Sequence, residues 1–400
     1  MDRVFGCDDL MRNILTFINK GELLPLKITN GKFKNIINTN ESLIVYFTGS
    51  IEMIKFAIEN GCDIRKLINA TAENGNLEGL KWLKSQGYEF HILDLKYAAK
   101  NGHIHILEYL KSIMNESSCD IVILLGAASG GQIETIKWIK SHNTSHMYYS
   151  WAFCEAARCG QLETLKWMQN NGVLYDIYSS FSDAVECGQL HVLQWLSSQN
   201  TGYFLDSDLC SKASENGHLE VLQWLRSLNC PWDKYTCIKA AENGHLEVLK
   251  WALSEGCTYD NKAISNAIYN NHIHIVEFLI STELTLIKLS ENAALYGKLE
   301  ILKLLRSQDP PFEWNVNTFI CAIKNGNLDT IMWMSSQNAP YHQNLYLVAI
   351  EYNKFDILKF FRKQYPNNKW NVDNEFGDEI TKNCIKNGNL DRKSTRLNSS

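Results

Sequence analysis

Residues 239–251 read Lys239-Ala-Ala-Glu-Asn-Gly-His-Leu-Glu-Val-Leu-Lys-Trp251, and this stretch returns along the chain with small changes. Aligned on Gly244, the same anchor falls at Gly49, Gly75, Gly102, Gly131, Gly160, Gly188, Gly217, Gly297, Gly326 and Gly388, with Asn271 and Asn353 in two further registers. Eleven of the twelve spacings are 26 to 29 residues, and the last, from Asn353 to Gly388, is 35. A unit this short buries too little apolar surface to offset the entropy of ordering it, so the units must stack and share one core, which makes the chain a solenoid.

The positions around the anchor predict two helices per unit. Two residues after it every copy carries Leu, Ile or Phe; five after it every complete copy is aliphatic, as at Leu80, Leu107 and Ile136; eight after it every complete copy is apolar, as at Leu83, Leu110 and Leu225. That spacing is a helical stripe. Seven after the anchor stands Trp82, Trp138, Trp167, Trp195, Trp224, Trp251 or Trp333, with Phe56, Tyr109, Phe278, Leu304 and Phe360 in the other complete copies. Helical spacing and repetition predict that these side chains pack between repeats and are mostly buried. Four residues before the anchor, Ala stands in ten successive copies from Ala98 to Ala349, as where a larger side chain would hold neighbouring helices apart. The two Asn replacements predict that the anchor is a left-handed turn residue, because Asn tolerates positive φ best after Gly. The unit therefore reads helix, tight turn, helix, loop.

The run Ala-Ala-Glu-Asn-Gly-His-Leu-Glu-Val-Leu-Lys-Trp resembles the two-helix core of an ankyrin repeat, Ala-Ala-x-x-Gly-His-Leu-Glu-Val-Val-Lys-Leu-Leu. The resemblance covers about 43–391 and implies an all-α, ankyrin-like solenoid of about twelve helix pairs. Two departures stand out. The Thr-Pro-Leu-His opening is replaced by Tyr235-Thr-Cys-Ile. The period is about 27 rather than the family's 33, and the shortfall lies where a β-hairpin finger would project, so short loops are expected in its place. The array is most similar to the short, Trp-bearing repeats of protists and large DNA viruses.

Residues 1–40 lack the anchor. Leu10-Met-Arg-Asn-Ile14-Leu15-Thr-Phe17-Ile18, then Leu23-Leu24-Pro-Leu26, then Lys32-Phe33 resemble an F-box, without its usual opening Leu-Pro and with Gly31 where Cys is common. The resemblance implies docking on a Skp-type adaptor of cullin–RING ubiquitin ligases through Leu10, Ile14, Leu15, Phe17 and Leu23. The other reading of the same residues is a helical cap over the first repeat. At the far end, residues 392–400 carry no apolar stripe and look foreign to the array.

Composition bounds the rest. The 400 residues are 45% hydrophobic and 21% charged, the profile of a folded chain. A net charge of −5 argues against a nucleic-acid-binding surface. The acidic N-terminus does not read as a secretion signal, and no apolar run approaches the ~20 residues of a membrane helix. Twelve Cys without a Cys-x-x-Cys pair suit small buried thiols in a reducing cytoplasm. A monomer is expected.

Nothing in the sequence marks a catalytic, metal or cofactor site. There is no Gly-x-x-x-x-Gly-Lys-Ser/Thr, His-Glu-x-x-His or Gly-x-Ser-x-Gly. His103/His105 and His272/His274 point apart on a helix, so turn hydrogen bonding is their expected role, not a shared metal. Tyr175, Tyr203, Trp232 and Tyr259, fifteen after the anchor, read as packing or as contacts. No enzyme and no cofactor are expected. The position that varies most lies two before the anchor: Glu73, Ser129, Leu295 and Glu351, and also Lys100, Arg158, Glu186, Glu215, Glu242, Tyr269 and Lys324. In ankyrin-type arrays that position faces the concave side. These last seven residues are therefore the candidates for binding a protein target.

Overall fold

The computed structural model of the chain describes residues 48–365, apart from residue 60 and residues 115–117, 143–145, 200–203, 283–287, 338, 340–341 and 343–344. The chain divides into two compact units, Met1–Phe204 and Leu205–Ser400. Among the described residues there are twenty-three helices and no strand. Ile51–Glu59 follows Gly49, and eleven helix pairs follow it, one around each anchor from Gly75 to Asn353. The Gly244 repeat is representative, with Lys234–Glu242 before the anchor and Leu246–Ser254 after it. Loops replace the hairpin finger. The repeat at Gly388 and the N-terminal module, with Leu10, Ile14, Leu15, Phe17 and Leu23, lie outside the described residues.

Local chemistry sets each helix boundary. First helices begin at a short acceptor side chain: Asp63, Asp176, Asp206, Asp233 and Asp260 each accept a backbone N–H of the opening turn. They end at the anchor, which is left-handed at Gly75, Gly102, Gly131, Gly160, Gly188, Gly217, Gly244, Gly297 and Gly326, and equally at Asn271 (φ 65°) and Asn353 (φ 58°). The N–H after the anchor turns back onto the carbonyl of the alanine four before it, as from His245 to Ala240 at 2.9 Å. This closes the first helix with a Schellman bond and starts the second helix at once.

Within each unit the first helices of successive repeats pack side by side. Ala98, Ala127, Ala156, Ala184, Ala213, Ala240, Ala267, Ala293, Ala322 and Ala349 are all fully buried, the close approach that the repeated alanine predicted. Fully buried too are Leu83, Leu110, Leu196, Leu225, Leu279 and Leu305, eight after their anchors.

The tryptophans are mostly buried, as expected, but none is buried completely. Trp82, Trp138, Trp167, Trp195, Trp224, Trp251 and Trp333 each keep part of the side chain exposed. Their position is one helical step from the buried one, about 100° around the axis, so the indole covers the rim of the core rather than entering it. Cations and loop rings cover the outer faces. Lys55, Lys111 and Lys140 lie over Trp82, Trp138 and Trp167, and Trp232 meets Trp251 edge-on at 5.8 Å.

Candidate functional site

In the first helices, residues nine, five and two before the anchor fall one and two turns apart and share one face. All seven candidate residues lie at the C-terminal end of that face. In the unit Met1–Phe204, Lys100 is exposed, and Arg158 reaches Asp183 and Glu186 of the next repeat, at 3.8 Å each. Ser129, at the same register but not among the candidates, is 93% buried and donates to Gly126 O at 2.8 Å.

In the unit Leu205–Ser400 the face has two regions. Lys239 bonds Glu215 of the preceding repeat at 3.0 Å and approaches Glu242 of its own at 3.5 Å. Glu242 also accepts from Asn266 at 3.3 Å. The hydrogen bond to Glu215 holds the Lys239 ammonium above its ordinary pKa. Two of the candidate carboxylates are thus already engaged with their neighbours. Among the described residues no carboxylate pairs with Tyr269 or Lys324: Tyr269 is 59% exposed and meets the edge of Tyr296 at 5.0 Å, and exposed Lys324 lies 5.4 Å over the Tyr352 ring.

The structure thus joins Arg158 to Glu186, and Glu215 to Glu242 through Lys239, and keeps Lys100, Tyr269 and Lys324 apart from these networks. Lys239, Asp183 and Asn266 belong to the face although the sequence reading passed over them. The signal was available, because residue −5 sits one turn from residue −2.

The histidines after the anchor serve the stacking. His103, His245 and His272 donate through Nε2 to the carbonyls of Glu73, Glu215 and Glu242 in the preceding repeats, at 2.8, 3.0 and 3.0 Å. His105 and His274 do the same to Gly75 and Gly244. Among the described residues no group of three His, Cys, Asp or Glu could hold a metal ion, and no helix is long and apolar enough to cross a membrane.

The family model "Ankyrin repeats (3 copies)" matches residues 209–287. That stretch is similar to ankyrin repeats, and the match covers less than half of the chain. The matched segment begins within the first helix of the Gly217 repeat and takes in Lys239, Glu215 and Glu242 of the face together with Tyr269. No curated protein matches the chain. Among solved structures it is similar to the pentatricopeptide repeat protein PPR10 from maize, at 13% identity over 96% of this chain and 68% of that one, with a TM-score of 0.31. It is also similar to PPR10 in complex with an 18-nt psaJ RNA element, at 9% identity over 98% and 73%, with a TM-score of 0.32. Likeness this loose transfers no ligand from those proteins to this chain.

Proposed function

We propose that the chain is a non-enzymatic, cytoplasmic recognition scaffold that holds a target protein on the shared face of its first helices. The observation that carries this reading is the contrast within each repeat. Turn, alanine and buried leucine recur from unit to unit, whereas the residue two before the anchor changes in charge and size from Lys100 to Arg158 to Glu242 to Tyr269. A fixed frame presenting a variable surface suits recognition. Affinity capture from cells tests it: a full-length variant with Lys100, Arg158 and Lys324 changed to Glu should lose specific partners. A variant changed at the outward-facing Lys166 and Lys250 should keep them. Equal capture by both would end the reading.

The F-box-like segment supports a finer role, in which residues 8–37 dock a Skp-type adaptor and the array presents a ubiquitin-ligase substrate. Purified adaptor should then bind the intact chain and not a chain lacking residues 1–40. No binding to the intact chain, with the first repeats destabilised by truncation, would make residues 1–40 a cap and the protein a scaffold that masks or tethers its target.

A further inference from the structure

Cysteine stands seven residues before the anchor in two of the thirteen registers, at Cys210 and Cys237. Each of those two repeats also carries cysteine thirteen after the anchor, at Cys230 and Cys257. Elsewhere the two positions hold other pairs, Phe153 with Val173, Phe181 with Thr201 and Phe319 with Ala339 among them. Cys210, Cys230 and Cys237 are completely buried, and Cys257 is 5% exposed. The later member of each pair lies in the loop after the second helix and turns inward onto the start of the first. Cys230 donates from Sγ to the Asp206 carbonyl at 3.2 Å, and Cys257 to the Asp233 carbonyl at 3.3 Å. Asp206 caps Ser207–Glu215 and Asp233 caps Lys234–Glu242, and the earlier cysteine stands one turn further along the same helix. The two thiols of each repeat therefore meet: Cys210 donates to the Cys230 sulfur, and Cys237 to the Cys257 sulfur.

Each pair is polarised. Donation to its partner, together with burial, holds the Cys210 thiol above the ordinary cysteine range, and Cys237 likewise. The same bonds draw Cys230 and Cys257 below it, against the effect of burial. The Arg226 guanidinium bonds the Cys230 carbonyl, and its charge favours the thiolate at both Cys230 and Cys257. One sulfur of each pair is thus the nucleophile and the other its neighbour with a proton to give. The loops that carry the nucleophiles are at the surface: Asn229 and Pro231 flank Cys230, Gly256 and Thr258 flank Cys257, and all four are exposed. A small reagent reaches either sulfur when its loop lifts, without unfolding of the array. Cys154 shows the contrast, since its neighbour is the Ser180 hydroxyl at 3.3 Å, which cannot complete a bridge.

We propose that Cys210 with Cys230, and Cys237 with Cys257, are two reversible oxidation sites that react with a peroxide-class oxidant and close into disulfides. The Cys230 thiolate attacks one peroxide oxygen and the O–O bond breaks. The hydroxide released takes up the proton that Cys230 gave to solvent and leaves as water, and Cys230 is left as a sulfenic acid. The Cys210 sulfur attacks that sulfur, the S–O bond breaks, and the hydroxyl leaves with the Cys210 proton as a second water. Two electrons pass from the sulfur pair to the peroxide, and a dithiol reductant reverses the bridge by exchange. Cys237 and Cys257 react in the same way. Each bridge ties the first helix of its repeat to the loop beyond the second, so oxidation locks the stretch from Asp206 to Cys257 against local opening.

The test treats the folded, freshly reduced full chain with hydrogen peroxide, blocks the remaining thiols with iodoacetamide in denaturant, and maps linked peptides by mass spectrometry. Links Cys210–Cys230 and Cys237–Cys257 should both form, and dithiothreitol should remove them. Thermolysin should cut the bridged chain within residues 206–257 at least about tenfold more slowly than the reduced chain. Cys210→Ala should lose the first link and keep the second. If that variant does not fold, the linked peptides of the unsubstituted chain decide alone. A folded chain that leaves either pair unbridged, pairs these cysteines differently, or carries them to sulfinic acid without a link would overturn the proposal. So would links that form only in urea, or equal cutting of the bridged and reduced chains.

Discussion

His245 donates from Nε2 to the carbonyl oxygen of Glu215, thirty residues earlier, at 3.0 Å. Glu215 closes the first helix of its repeat, so its carbonyl lacks an intrahelical donor. The next repeat supplies one. Gln161 makes the same bond to Ser129 at 3.0 Å, and Lys354 makes it to Asn325 at 3.2 Å. These repeats are therefore closed by their successors as well as packed against them.

Replacing His245 by Ala should cost about 1–1.5 kcal/mol, the worth of the bond and of the carbonyl left behind. Gln should restore most of it, since Gln161 already fills this role. Urea unfolding of the three proteins measures the difference. A stability unchanged in H245A would show that water replaces the histidine without loss.

The anchor glycine answers two demands, and a pair of substitutions separates them. Gly256 has φ +84° with open space where a Cβ would stand, so Gly256→Ala should cost about 1–2 kcal/mol of backbone strain. Gly244 has φ +83°, and a Cβ there would sit 2.8 Å from the His272 ring. Gly244→Ala should therefore cost about 1 kcal/mol more, as His272 gives up its bond to Glu242. Equal losses in thermal unfolding would remove the close approach from the explanation.

Leu225 is fully buried and Trp224 beside it is partly exposed. Leu225→Ala should cost about 2–5 kcal/mol. Trp224→Ala should cost less, about 1–2 kcal/mol, because part of the indole is already in water. Chemical denaturation of both variants tests the order; a larger loss at Trp224 would return that ring to the core.

Asp94 is buried, accepts the His91 N–H at 2.6 Å through Oδ2 and meets Arg65 at 3.3 Å, while its Oδ1 has no partner. Burial pushes its pKa above the ordinary 3.8, against the pull of the His91 hydrogen bond and of Arg65. A raised carboxyl stabilises fully below pH 3.8 and loses that contribution as pH rises through the folded value. Asp94→Asn should consequently stabilise at pH 7, by about 0.5–1 kcal/mol, and the gain should shrink as pH falls toward 4. A destabilised variant at pH 7 would mean that the Arg65 pair outweighs desolvation.

Much of the fold was legible because the repeat samples its own constraints many times over. Asn271 and Asn353 standing for Gly identified the left-handed turn, since only a backbone requirement selects those two residues alike. The repeated alanine identified the helix contact. The candidate face was legible in outline, through the variability at Lys100, Arg158 and Tyr269. Its pairing was not. That Glu215 bonds Lys239 depends on how far apart two first helices stand, and no single repeat encodes that distance. The tryptophans were legible as mostly buried packing residues; that lysines such as Lys55 and Lys111 cover their remaining faces was not.

The sequence by itself determined the helical unit, its turn, its buried leucines and the stacking that such short units require, because these follow from local geometry and from a 3.6-residue period. Only the tertiary structure decided which side of each tryptophan meets water, which carbonyl each histidine closes, and which charges on the shared face are spent on one another. Those outcomes rest on distances between residues about thirty positions apart, and such distances exist only once neighbouring repeats have packed.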